Sequence, residues 1–137
     1  EDPWHKVDSI GSVPATLLAD VLVAQKPDLM INPGTAGGFQ ASNASLSEVY
    51  LGGPFACFHS RRSSVPGMDA MGLGNYPCAR SESLAEALKI KRAIVSSGDA
   101  LDYSKEDAHY IKRNGAALKE MEAGAIGWIC AINNVPF

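Results

Sequence analysis

Cysteine is scarce and has no pattern: the 137 residues carry three, Cys57, Cys78 and Cys130, an odd number at wide spacing with no CxxC pair. That excludes a disulfide framework and a zinc site, and it points to reduced thiols in a cytoplasmic protein with no metal centre. Long apolar runs are missing as well, so no membrane-spanning helix and no membrane partner are expected. Basic charge is not in excess. Twelve Lys and Arg against 15 Asp and Glu leave a net charge of −3, which lacks the electrostatic footprint of a nucleic-acid binder. A small, mostly uncharged ligand suits this balance better. What is present is an ordinary globular composition, 46% apolar and 20% charged, enough for one compact domain with a core and too short for two.

The chain opens on Glu1-Asp2-Pro3 and not on a basic-then-apolar leader. It ends on Asn134 to Phe137, which reads as the start of a buried strand after a helix, so residues 1–137 are expected to be a piece of a longer protein. Between these ends, Pro14 suits a first helical turn, and Leu17, Leu18, Val21 and Leu22 recur at helical spacing, predicting an amphipathic helix over residues 14–25. Leu29-Met30-Ile31 reads as a short buried strand, followed by the glycine-rich loop from Asn32 to Gly38. Further strands are expected at residues 48–51, 55–59 and 93–95, a long loop at 61–76, and helices at 83–88, 104–114 and 116–132. The alternation predicts a layered α/β domain with a largely parallel central sheet.

The helix predicted at residues 116–132 carries an acid at the edge of its apolar face. Leu118, Met121, Ala125, Trp128, Ile129 and Ile132 trace that face, and Glu122 lies four residues from both Leu118 and Ile126. A buried carboxylate needs donors or a counter-charge. Two readings fit the spacing: a ligand with hydroxyl donors such as a sugar diol, or a structural salt bridge to Arg92 or Lys112. Lys119 and Glu120 read as a solvated helix face. Ala123, Gly124 and Gly127 form a small-residue stripe that invites close approach of another backbone, within the subunit or across a dimer interface.

Two glycine-containing turns follow strands, the position where ligands bind in α/β sheets. In Asn32-Pro33-Gly34-Thr35-Ala36-Gly37-Gly38, glycine lets a flat ligand approach the backbone and the Thr35 hydroxyl can hydrogen-bond. The loop is neither GxGxxG nor a P-loop, and a plain turn fits it equally. In Ser96-Ser97-Gly98-Asp99 the acid either caps the next segment or meets a ligand.

Five stretches in order, residues 8–15, 27–39, 58–62, 97–102 and 119–123, resemble the purine nucleoside phosphorylase/uridine phosphorylase superfamily, and within it the plant-type 5′-methylthioadenosine nucleosidases. The resemblance implies a three-layer α/β fold with a twisted mixed sheet flanked by helices, here a single nucleoside phosphorylase-like domain, 1–137, lacking N- and C-terminal parts. It implies that Met121 packs under a ribose and Glu122 holds its hydroxyls as the catalytic anchor. Thr35 and Gly37 would lie beside sugar and base, Leu101 and Asp102 would line the adenine site, and Lys119 and Glu120 belong to the same ligand-contacting stretch. Phosphorylases of the superfamily carry an Arg where Asn32 stands, so water replaces phosphate as the implied nucleophile. Pro33 departs from the small residue the family carries there. His59, Arg61 and Arg62 match the plant-type loop, although their composition alone reads as an exposed basic turn. The loop with Met68, Met71 and Leu73 either reaches a neighbouring subunit's alkylthio pocket or is adaptable packing.

The implied reaction is hydrolysis of 5′-methylthioadenosine, with S-adenosylhomocysteine as a second candidate, to adenine and the thioribose in methionine salvage, with no cofactor and as a homodimer. Cleavage of the N-glycosidic bond builds positive charge on the sugar and negative charge on the base. The family's water-activating Glu and its acid Asp would precede and follow this sequence, so the 137 residues alone are expected to be inactive. A phosphate-dependent phosphorylase and a non-catalytic nucleoside-binding or storage homologue are the competing expectations.

Overall fold

The computed structural model describes residues 1–137. Five strands, β1 (Gly37–Gly38), β2 (Tyr50–Phe58), β3 (Tyr76–Pro77), β4 (Lys91–Ser97) and β5 (Leu118–Glu120), form one mixed sheet in the order β1-β5-β4-β2-β3. The inner strands β2, β4 and β5 are parallel, while the two-residue strands β1 and β3 close the edges antiparallel. Five helices flank the sheet: α1 (Ser12–Val23), α2 (Asp69–Leu73), α3 (Glu82–Leu88), α4 (Lys105–Arg113) and α5 (Ala123–Ile132). This is the mixed-sheet α/β architecture the sequence implies. No helix is long and apolar enough to cross a membrane.

The core sits where α5 lies between the sheet and α1. Ala19 and Val23 of α1 meet Ile129 and Cys130 of α5, and Ala15 joins Phe58 and Ala125. The small-residue stripe on α5 makes this possible within the subunit. A Cβ on Gly124 would come 2.9 Å from Phe58 Cζ and 3.1 Å from the Cys57 carbonyl, so β2 packs directly on helix backbone. The α1 helix begins and ends two residues before its expected span of 14–25 and turns a different face inward. Ala15, Ala19 and Val23 are buried, whereas Leu17, Leu18 and Val21 are at least 60% exposed. Alanine permits the close helix–helix approach, and the larger side chains are left outside.

Five expectations are corrected. Residues 116–132 are not one helix: Leu118–Glu120 pairs with β4 and β1, and α5 begins only at Ala123. Helix-favouring residues are recruited to a strand by pairing with the buried β4, tertiary context overriding propensity. Leu29-Met30-Ile31 forms no strand. Its one backbone bond is Met30 N–H to the Pro136 carbonyl at 2.8 Å, and Ile31 is 73% exposed. Residues 134–137 are irregular as well. The two strands expected at 48–51 and 55–59 merge into β2, whose register to β4 runs to Gly52↔Ala93 and resumes at Ala56↔Val95. The irregularity falls at Gly53-Pro54, because proline cannot donate to the ladder. The loop expected at 61–76 contains α2 and the first residue of β3. By contrast, α4 starts as expected: Ser104 and Asp107 form a reciprocal capping box.

Candidate functional site

The carboxyl ends of β4 and β5 bring Ser97-Gly98-Asp99 and Glu120-Met121-Glu122 side by side, with Ser97 opposite Glu120 in the ladder. Three acids then divide the work. Glu120 turns back on its own chain: one carboxylate oxygen accepts the N–H groups of Glu122 at 2.7 Å and Ala123 at 2.6 Å, and the other accepts the Ser97 hydroxyl. Ser97 Oγ in turn accepts Gly124 N–H at 2.7 Å. The N–H groups at the start of α5, which lack partners within the helix, are thereby satisfied, and Glu120 is no solvated helix face. Glu122 occupies the N-cap position of α5 without capping it, so its side chain projects away from that helix.

Glu122 Oε1 accepts Gly11 N–H at 2.8 Å, immediately before α1. Asp99 accepts Ser12 N–H at 2.6 Å and the Ser12 hydroxyl at 2.7 Å. The α1 helix has no side-chain cap of its own and no acid in its first turn. Two carboxylates from elsewhere in the chain therefore stand at its positive end. Asp99 thus caps α1, 87 residues earlier in the chain, and not the segment that follows it as its sequence suggests. Gly11 is required here: its φ is 97°, and a Cβ would lie 2.9 Å from Asp99 Oδ1 and 3.9 Å from Met121 Cε.

Glu122 is half-buried and forms no ion pair. Arg92 binds Glu82 instead at 2.7 Å, and Lys112 is exposed and in no salt bridge. The salt-bridge reading of Glu122 is thus overturned. The carboxylate opens onto a cleft of about 610 Å³ between α1 and residues 30–33, with Asn32 in its wall. Among the internal residues lining this cleft, two are acids, Asp8 and Glu122, and none is Lys, Arg or His.

A second connection ties the glycine loop to the same strand ends. Gly37 pairs with Lys119, whose side chain is only 8% exposed and donates to the carbonyls of Ala100 at 2.5 Å and Leu101 at 3.3 Å. Lys119 is therefore a buried clamp on the segment after β4, not a surface residue. Phe39 meets Tyr103 edge-on at 5.6 Å, joining the two loops again. Gly37, Lys119 and Leu101 are thus linked directly, as are Met121, Glu122 and Gly11. The side chains of Thr35, Leu101 and Asp102 are exposed.

His59 also departs from expectation. It is buried, with Nδ1 3.1 Å from Ser96 Oγ and its ring against Gly98, where a Cβ would approach Nε2 to 2.3 Å. Burial pushes its pKa below the ordinary 6.5, against the opposing pull of Asp107. Arg61 and Arg62 are exposed as expected. Arg62 binds Asp107 at 2.5 Å and the His59 carbonyl at 3.0 Å. Burial raises the Asp107 pKa, but the Arg62 guanidinium and the Ser104 N–H and hydroxyl outweigh it and hold the group at about 2. Sequence reasoning missed Gly11, Ser12 and Ser97 as parts of this framework. The one local signal was a glycine just before a helix start.

Comparison with known proteins agrees with this fold. The chain is 42% identical over 138 aligned positions to 5′-methylthioadenosine/S-adenosylhomocysteine nucleosidase of Arabidopsis thaliana, covering 99% of this chain and 54% of that protein. It is 37% identical to the 5′-methylthioadenosine nucleosidase of the same plant, covering 95% of this chain and 49% of the relative. The apo structure of Arabidopsis thaliana 5′-methylthioadenosine nucleosidase superposes with a TM-score of 0.95 at 36% identity, over 99% of this chain and 56% of that one. The chain spans about half the length of the curated relatives it matches. The family model of the phosphorylase superfamily matches residues 5–137, and the chain belongs to that superfamily.

Proposed function

We propose that this chain is the nucleoside-holding part of an N-glycosyl hydrolase that releases adenine from 5′-methylthioadenosine, with S-adenosylhomocysteine as a second substrate to test. One observation carries the reading. The Glu122 carboxylate, in no ion pair, faces a cleft whose internal lining adds a second acid, Asp8, and no Lys, Arg or His. Such a wall disfavours a phosphate dianion as nucleophile and favours a sugar that becomes cationic as the bond to the base breaks. Water is then the nucleophile, and Asn32 stands in the cleft wall where a phosphorylase of the superfamily would place Arg.

In this mechanism Glu122 keeps one oxygen on Gly11 N–H and offers the other to the ribose hydroxyls. The anchored carboxylate holds the ring and offsets the oxocarbenium-like charge. Met121 packs beneath the sugar. Thr35 and Gly37 lie beside sugar and base. Leu101 and Asp102 border the adenine, held in place by Lys119, while Glu120 fixes the backbone from which Glu122 projects. The relatives' names support the substrate class. We place the protein in the cytoplasm, in methionine salvage, on its three free thiols and this chemistry. We also propose a homodimer, for which the exposed Val13, Leu17 and Val21 on α1 offer an apolar face.

The test is adenine release by the full-length protein from both nucleosides, with and without inorganic phosphate. Hydrolysis at the same rate in either condition is expected. Phosphate-dependent release would make the protein a phosphorylase, and nucleoside binding without release would make it a non-catalytic homologue.

A further inference from the structure

The chain carries Arg61-Arg62-Ser63-Ser64-Val65, which places two arginines three and two residues before Ser64 and an apolar residue directly after it. None of these residues belongs to the cleft described above. The two serines differ physically. Ser63 is half-buried, and its hydroxyl accepts Val65 N–H at 3.2 Å. Ser64 is exposed and its hydroxyl has no partner in the fold. The backbone from Arg62 to Ser64 belongs to no helix or strand, and its one backbone hydrogen bond is Arg62 N–H to the Ser60 carbonyl at 3.1 Å. Drawing this stretch into an extended groove breaks almost no backbone bond, and its main cost is releasing Arg62 from Asp107, Glu106 and the His59 carbonyl. Arg61 is free of carboxylates, its guanidinium resting 4.5 Å over the Phe58 ring, and Val65 is 54% exposed.

We propose that Ser64 is a phosphoacceptor for an arginine-directed serine/threonine kinase, one whose peptide groove presents carboxylates to the two arginines and an apolar pocket to Val65. The Ser64 oxygen attacks the γ-phosphorus of Mg-ATP. The new Oγ–P bond forms as the bond from that phosphorus to the bridging oxygen breaks, ADP leaves, and the hydroxyl proton passes to the kinase's catalytic carboxylate. The phosphate adds a charge of about −1.5 to −2 beside Arg61 and Arg62. It competes with Asp107 and Glu106 for Arg62, which now binds them at 2.5 and 3.4 Å, and so loosens the tie between this loop and α4.

The experiment uses the folded full-length protein, the catalytic subunit of cAMP-dependent protein kinase and radiolabelled ATP, with the modified residue located by tandem mass spectrometry. Incorporation approaching one phosphate per chain at Ser64 is expected. It should disappear in Ser64→Ala and persist in Ser63→Ala. In Arg61→Ala it should fall by about tenfold or more, the scale of one lost charge-assisted contact. Label retained in Ser64→Ala, label on Ser63, or label taken up only after heat denaturation would each overturn the proposal.

Discussion

Glu122 is held by a single backbone donor, Gly11 N–H at 2.8 Å, and by no cation. Its carboxylate therefore keeps capacity for a ligand, and its removal should separate function from folding. In Glu122→Gln the amide oxygen can still accept from Gly11, so the loss of stability should stay within about 1 kcal/mol. Turnover of 5′-methylthioadenosine should drop by about 10²–10³-fold, the usual effect of deleting one preorganised electrostatic contact. Steady-state kinetics beside a thermal melt checks both. An unfolded or strongly destabilised variant would make the residue structural. Lys119 should behave in the opposite way. Lys119→Met leaves the Ala100 and Leu101 carbonyls without their donor, which should cost about 2–3 kcal/mol in denaturant unfolding. It should also raise KM for the nucleoside more than it lowers kcat, because the segment proposed to border the base is freed.

At the scale of elements, α5 packs on β2 through glycine. Helix propensity alone makes Gly124→Ala stabilising by about 1 kcal/mol. A Cβ there would meet Phe58 and the Cys57 carbonyl at 2.9 and 3.1 Å, and backbone cannot step aside as a side-chain tip can. The contact should win, with net destabilisation of about 1–3 kcal/mol measured by denaturant unfolding. The same packing explains what was legible in the sequence. The α4 helix could be read because Ser104 and Asp107 cap it locally. Its neighbour β5 could not, since Ala116-Ala117-Leu118-Lys119-Glu120 favours a helix and becomes a strand only by pairing with β4 and Gly37. The presence of α1 was readable from Pro14 and its apolar spacing, to within two residues at each end. Its buried face was not, because that face is chosen by how closely Ala15 and Ala19 can approach α5. Likewise the motif containing Glu122 was recognisable, while its projection from a strand–helix junction and its bond to Gly11 arise from residues 111 positions apart.

For the molecule as a whole, folding is linked to pH through the buried His59. Its pKa in the fold is depressed below 6.5. Above pH 6.5 the imidazole is neutral in both folded and unfolded chains and contributes no slope. Below that pH the unfolded chain takes up a proton that the fold resists, so stability falls as the pH drops from 6.5 toward the depressed folded value. His59→Gln should flatten that part of the stability profile in urea titrations at pH 5–7. An unchanged slope would show that His59 titrates alike in both states.

A double-mutant cycle reads the proposed contact between Glu122 and a ribose hydroxyl directly. kcat/KM of the full-length wild type and Glu122→Gln is measured on 5′-methylthioadenosine and on its 2′- and 3′-deoxy analogues. In the wild type, deletion of the contacted hydroxyl should lower kcat/KM by about 10- to 150-fold, the value of a hydrogen bond to a charged group. In Glu122→Gln that penalty should nearly vanish. Equal penalties in both proteins would show that the carboxylate does not touch the sugar.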